Sequence, residues 1–124
     1  MIDDDPDLLG AIRSLLGDAG YTVLTSSSSI KGLLMAQYNA AVQLVVLDYR
    51  MPDLNGAETL QYLRRLRPQV KVIALSGIES TALPENYRRD ANAYLAKPYT
   101  NGQLLSVIRN LLTVDSPIPA NASV

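Results

Sequence analysis

The chain has 124 residues, 48% of them hydrophobic, which is enough for one packed domain and too few for two. Lysine plus arginine number 11 against 12 aspartates and glutamates, so there is no electrostatic case for binding nucleic acid or a membrane surface. Cysteine and histidine are both absent, which excludes disulfides, thiolate chemistry, imidazole catalysis and Cys/His metal sites. Chemistry must therefore rest on carboxylates, hydroxyls, lysine and a hard, oxygen-preferring cation. No apolar run reaches membrane-spanning length, and the acidic start is not a signal peptide, so a cytoplasmic protein is expected.

Met1-Ile2-Asp3-Asp4-Asp5-Pro6-Asp7 opens the chain with Met1 and Ile2 as the only apolar residues before the acids. Asp5 followed by Pro6 predicts an N-cap and first helical position. Leu8, Leu9, Ile12, Leu15 and Leu16 continue at helical spacing, and Gly20 can close that helix with a positive-φ cap. Tyr21–Thr25 is rich in β-formers and predicts a strand, and the serines from Ser26 to Ser29 predict a loop that caps a second helix. That helix carries Ile30, Leu33 and Leu34 and is weakened by Gly32.

Gln43–Asp48 is an apolar run ending in an acid, the pattern of a strand buried on both faces, and Met51-Pro52-Asp53-Leu54-Asn55-Gly56 turns the chain after it. Leu60, Leu63 and Leu66 give a third helix, with Arg64, Arg65 and Arg67 expected on its solvated face. Val70–Leu75 is a further strand, running into Ser76-Gly77. Glu79–Asp90 holds a poor fourth helix with Pro84 inside it. Ala93–Ala96 is a short strand ending in Lys97-Pro98. Leu104, Leu105, Ile108, Leu111 and Leu112 define a final amphipathic helix. Residues 114–124 are expected to be a disordered tail following one domain over residues 1–113.

Strands alternating with helices predict an α/β fold with a doubly wound, five-stranded parallel sheet in the flavodoxin-like order 2-1-3-4-5, its first strand unusually short. In that order Asp3 and Asp4 end strand one and Asp48 ends strand three at the switch point, with Ser76 and Lys97 at the neighbouring strand ends. Three carboxylates in one cleft call for a cation, and Mg²⁺ suits an all-oxygen site. A lysine and a hydroxyl beside them suit phosphoryl transfer to an aspartate.

These pieces, in this order, resemble the receiver domain of two-component response regulators: Ile2-Asp3-Asp4-Asp5-Pro6, the block from Asp48 to Gly56, Ser76-Gly77, and Ala93-Tyr94-Leu95-Ala96-Lys97-Pro98-Tyr99. The resemblance implies that Asp48 accepts a phosphoryl group from a sensor histidine kinase or phosphotransfer protein. It implies that Asp3, Asp4, Asp48 and the Arg50 backbone carbonyl hold Mg²⁺. Ser76 and Lys97 would contact the phosphoryl group, Tyr94 would be the aromatic switch, and the Lys97–Pro98 peptide would be cis. The domain would catalyse its own phosphorylation and dephosphorylation without being an enzyme in the ordinary sense. Its output would pass through the surface of the fourth helix, fifth strand and fifth helix, to a partner or to a homodimer, with no direct nucleic-acid or membrane contact. The alternative is a non-phosphorylated pseudo-receiver that acts as an interaction module. A haloacid-dehalogenase-type phosphatase also uses an aspartate nucleophile, but it needs a second Asp where this chain has Arg50.

Overall fold

The structure, a computed structural model, describes residues 1–77 and 83–114. Its elements run α1 (Pro6–Asp18), α2 (Ser29–Tyr38), β1 (Leu44–Asp48), α3 (Gly56–Leu66), β2 (Lys71–Ser76), α4 (Glu85–Arg89), β3 (Ala93–Ala96) and α5 (Asn101–Val114). The three strands pair in parallel in the order β1-β2-β3, with Asp48 opposite Leu75 and Leu75 opposite Leu95.

Period-2 alternation divides the core between the two faces of this sheet. Val45, Leu47, Val72 and Ala74 pack with Leu33 and Ala36 of α2, Leu60 and Leu63 of α3, and Tyr87 of α4. Val46, Ile73 and Leu75 pack with Ile12 and Leu16 of α1 and with Leu104 and Ile108 of α5. Helices therefore cover both faces, the arrangement that parallel crossovers impose. Among the described residues no helix is long and apolar enough to cross a membrane.

Among the described residues the sheet has three strands where five are expected, and the first two expected strands meet it only through bridges. Residues 21–25 are not a strand, and the first segment contributes only Ile2, which makes isolated parallel bridges to Ser26 on one side and Leu47 on the other. The Ile2 N–H donates to the Val46 carbonyl at 2.8 Å, the Asp48 N–H to the Ile2 carbonyl at 3.0 Å, and the Asp3 N–H to the Ser26 carbonyl at 3.1 Å. Met1 is tied in as well, its carbonyl accepting from the Ser26 N–H at 2.9 Å and its amino group donating to the Leu24 carbonyl at 2.6 Å, so this short segment has backbone partners on both sides. A cavity of about 500 Å³ lies between residues 20–26 and 41–46, with Leu16, Ile108 and Leu112 also in its wall.

Local signals explain the helix ends. Asp5 caps α1 by accepting from the Asp7 and Leu8 N–H groups at 3.0 and 3.3 Å. Gly20, at φ 97°, closes it: the Tyr21 N–H reaches the Leu16 carbonyl and the Gly20 N–H the Gly17 carbonyl, both at 3.0 Å. Gly32 is where Ile2 lands, since a Cβ there would lie 2.4 Å from the Ile2 Cδ1. Asn55 and Glu58 form a reciprocal capping box that starts α3 at Gly56.

Two further expectations change. Arg64 and Arg67 are not on a solvated face. The Arg64 guanidinium donates to the carbonyls of Val70 at 2.6 Å and Asp90 at 3.0 Å and to Asn92 Oδ1 at 2.8 Å. Arg67 donates to the carbonyls of Ala36, Asn39 and Val42 at 2.9, 3.0 and 2.7 Å. A five-donor fork suits carbonyls that loops leave without N–H partners; Arg65 alone of the three is exposed. The fourth helix is only Glu85–Arg89, beginning after Pro84 rather than containing it, because a proline ring cannot continue a helix through its own position. Its expected first residues, 79–82, lie outside the described residues, as does the expected tail from 115 onward, while Val114 belongs to α5.

Candidate functional site

The carboxyl ends of the strands carry the acids. Asp48 is the last residue of β1, and Asp3 is drawn beside it because Ile2 is bonded between Ser26 and β1. Asp4 completes the group: the three residues offer carboxylate oxygens that all lie within 4.8 Å of one another. Asp3 and Asp48 are buried, at 1% and 5% exposure, whereas Asp4 faces solvent.

Lys97 follows β3 and reaches back across the sheet edge. Its Nζ lies 2.9 Å from Asp3 Oδ2 and 3.3 Å from Asp48 Oδ2. The remaining oxygens have backbone donors: the Asp5 N–H donates to Asp3 Oδ1 at 3.1 Å, and the Tyr49 N–H to Asp48 Oδ1 at 2.9 Å. Burial pushes the Asp48 carboxyl above its ordinary pKa, and the neighbouring Asp3 charge adds to this; Lys97 and the Tyr49 N–H only partly offset it. Burial works against the Lys97 ammonium, but its hydrogen bond to Asp3 and the charges of Asp48 and Asp3 outweigh that and raise its pKa.

Ser76, the buried last residue of β2, has its hydroxyl in direct hydrogen-bonding contact with the Tyr94 hydroxyl from β3. The Arg88 guanidinium lies 4.2 Å above the centroid of the Tyr94 ring, an arrangement that favours a cation over an aromatic face. The Lys97–Pro98 peptide is cis. Arg50 stands exposed in the loop two residues past Asp48. The structure thus gathers Asp3, Asp4, Asp48 and Lys97 in one cleft and sets Ser76 and Tyr94 together on the adjoining strands.

The donor set fits Mg²⁺. It is all oxygen, one carboxylate is open to solvent, and the mutual repulsion of three close acids is relieved by a divalent cation.

Two residues that the sequence did not single out organise the surroundings. Asp53, in the loop after β1, accepts from the Ser29 and Ile30 N–H groups at 3.0 and 2.9 Å and from the Ser28 hydroxyl at 2.9 Å. It thereby caps α2 from another part of the chain, and although burial opposes the charge, these donors hold its carboxyl well below the usual carboxylate range. Its partners lie more than 20 positions away in sequence, so no local pattern announces it. Tyr87 is fully buried in α4, with its hydroxyl 2.8 Å from the carbonyls of both Leu47 and Leu75. The available signal was one aromatic among the polar residues 85–90.

Comparison with known proteins places this arrangement. Residues 1–109 match the family model for the response regulator receiver domain. The C4-dicarboxylate transport transcriptional regulatory protein DctD of Pseudomonas aeruginosa is 35% identical over 115 residues, which are 92% of this chain and 25% of that protein. The chain spans between 12% and 53% of the length of the first curated relatives it matches. A response regulator receiver domain structure from Clostridium thermocellum superposes with a TM-score of 0.82 at 32% identity, covering 93% of each chain. The receiver domain of sensor histidine kinase PA1611 from Pseudomonas aeruginosa, solved with magnesium coordinated in its active-site cleft, shares the fold at a TM-score of 0.81 and 24% identity, over 90% of this chain and 93% of that one. Sequence, fold and the order of residues around Asp48 agree: the chain belongs to the response regulator receiver domain family.

Proposed function

We propose that Asp48 is the phosphoacceptor of a working receiver domain. The observation that carries this reading is the convergence of Asp3, Asp4, Asp48 and Lys97 in one cleft, although strand one is reduced to a single bridging residue. An Asp48 carboxylate oxygen attacks phosphorus in line. The new O–P bond forms as the P–N bond to a donor histidine breaks, and the imidazole nitrogen leaves with the bonding electrons and takes a proton. Asp3, Asp4, Asp48 and the Arg50 carbonyl would hold Mg²⁺, which would neutralise charge on the carboxylates and on the transferred oxygens. Lys97 exchanges part of its pairing with Asp3 and Asp48 for a phosphoryl oxygen.

Ser76 carries the signal outward. A new charged group at Asp48 attracts the Ser76 hydroxyl away from Tyr94, and loss of that bond frees the Tyr94 ring, which sits under Arg88 of α4. The population shift then remodels the α4-β3-α5 surface for an output partner or for a second copy of the chain. A sensor histidine kinase or phosphotransfer protein is the upstream partner. The pseudo-receiver reading draws on the incomplete first strand; the paired carboxylates and lysine favour phosphotransfer.

The test is a Phos-tag gel after incubation with acetyl phosphate and Mg²⁺. The intact protein shifts, and Asp48→Asn does not. Lys97→Ala takes up phosphoryl but no longer couples uptake to self-association, read by analytical ultracentrifugation. A shifted band in Asp48→Asn would overturn the assignment.

A further inference from the structure

The loop between β1 and α3 is pinned at its base and again near its far end. At the base, the Gly56 N–H donates to the Tyr49 carbonyl at 2.7 Å. Further along, Asp53 grips the start of α2: Oδ1 accepts from the Ser29 N–H at 3.0 Å, and Oδ2 from the Ile30 N–H and the Ser28 hydroxyl, both at 2.9 Å. The Ser29 hydroxyl returns the contact, donating to the Leu54 carbonyl at 2.8 Å. A helix cannot pair its own first N–H groups. Here Ser28 serves the Lys31 N–H at 3.2 Å, and Asp53 serves those of Ser29 and Ile30. The helix start alone does not require so distant a residue, because the bond to Ile30 is exposed and water can serve that N–H. Water cannot hold the loop.

We propose that Asp53 is a positioning residue for the metal site: by gripping α2 it fixes the loop that carries the Arg50 carbonyl. The inference rests on the reading of the acidic cleft and that carbonyl as a Mg²⁺ site. The constraint passes back along the chain in short steps. Asp53 is fixed by its three donors. Pro52, just before it, has its φ locked by the ring and confines Met51 to extended backbone. The Arg50 carbonyl and the Met51 N–H share one planar peptide. Asp53 on one side and Tyr49 on the other therefore restrain the direction of that carbonyl. The carboxylates do not depend on this grip. Lys97 Nζ lies 2.9 Å from Asp3 Oδ2 and 3.3 Å from Asp48 Oδ2, and the Tyr49 N–H holds Asp48 Oδ1 at 2.9 Å. Asp53 thus acts on one ligand of the set and leaves the acids as they are, in the way that groups behind a metal's ligands tune its binding.

Asp53→Ala removes the grip, and Arg67→Ala is its control. Arg67 donates to the Ala36 and Asn39 carbonyls at the opposite end of α2, so its loss loosens that helix away from the loop. Mg²⁺ is titrated into each ¹⁵N-labelled protein, and the amides of Asp48 and Met51 are followed, the Met51 nitrogen being part of the Arg50 peptide. In the unsubstituted protein both amides should move with one dissociation constant. Asp53→Ala should weaken Mg²⁺ binding about tenfold, the lower end of the range for losing a group that orients a metal ligand. Its Met51 shift at saturation should shrink while that of Asp48 persists. Arg67→Ala should stay within about twofold of the parent, as substitutions at independent sites do. Unchanged affinity in Asp53→Ala, or an equal loss in Arg67→Ala, overturns the proposal. If Asp53→Ala does not fold, Asp53→Asn decides: it keeps one acceptor oxygen and should lose part of the affinity, and a variant equal to the parent overturns the proposal. A parent in which Mg²⁺ moves Asp48 but not Met51 overturns it too and leaves the carboxylate site standing. A parent in which neither amide moves refutes the Mg²⁺ reading, and the proposal with it.

Discussion

The two sides of the sheet are built to different standards. On one side, β1, β2 and β3 form a continuous ladder, and Leu47, Leu63, Val72 and Ile73 are sealed at 0% exposure. On the other, Ile2 is held by isolated bridges to Ser26 and Leu47, and a cavity of about 500 Å³ lies alongside. Yet Asp3, on the weak side, is as well fixed as Asp48 on the strong one. It has Lys97 on one oxygen and the Asp5 N–H on the other, and its own N–H on Ser26. The contrast teaches that the site needs the carboxyl end of a strand, with a few specific bonds, rather than the strand's whole length.

Substitutions can break this contrast, and the largest effects fall on the strong side. Leu63→Ala should cost about 2–5 kcal/mol, the range for deleting a sealed leucine, whereas Val23→Ala, beside the cavity, should cost under about 1 kcal/mol because little packing is lost. Urea unfolding of the two variants measures the difference, and equal losses would mean that the cavity side is packed as tightly as the other. Next comes Arg67→Ala, which strips a charged donor from several part-buried carbonyls and should cost about 1.5–3 kcal/mol, the range for hydrogen bonds to a charged group. Arg65→Ala, on an exposed residue of α3, should stay within about 0.5 kcal/mol.

The acidic cleft gives a subtler effect with a definite sign. The folded-state pKa of Asp48 lies above the ordinary value of 3.8, so folding favours the protonated form. Stability is therefore lost as pH rises from 3.8 through the folded-state value, and the loss is in place at pH 7. Asp48→Asn should accordingly be more stable than the unsubstituted protein at pH 7 in chelator. The gap should shrink on acidification toward pH 3 to 4 and on addition of Mg²⁺, which binds the native carboxylates. Thermal unfolding across pH checks this, and a variant less stable than the parent at pH 7 would contradict it.

Much of this was legible in the chain. The apolar run into Asp48 gave β1 to within one residue at its start, and Asp5-Pro6 gave the start of α1. The alternation of strands and helices gave the parallel sheet with two covered faces. Tyr21–Thr25 misled because β-propensity describes a residue's fit to a pleated surface, not the presence of a neighbour to pair with. Arg64 and Arg67 misled because charge predicts solvent, while the carbonyls they serve, apart from Val70, lie more than 20 positions away in sequence. Asn55 and Glu58 held a capping-box signal at the right spacing, which would have placed the start of α3 at Gly56. Asp53 and Tyr87 were hidden for a different reason: their roles are contacts of 12 to 40 positions' separation, beyond any local pattern.

The most direct test of the central claim is the intact mass of the protein after incubation with acetyl phosphate, in Mg²⁺ and in chelator. One added phosphoryl group in Mg²⁺, none in chelator and none in Asp48→Asn is the predicted result. A folded protein that gains no phosphoryl group in Mg²⁺, or gains one equally without it, would contradict the account.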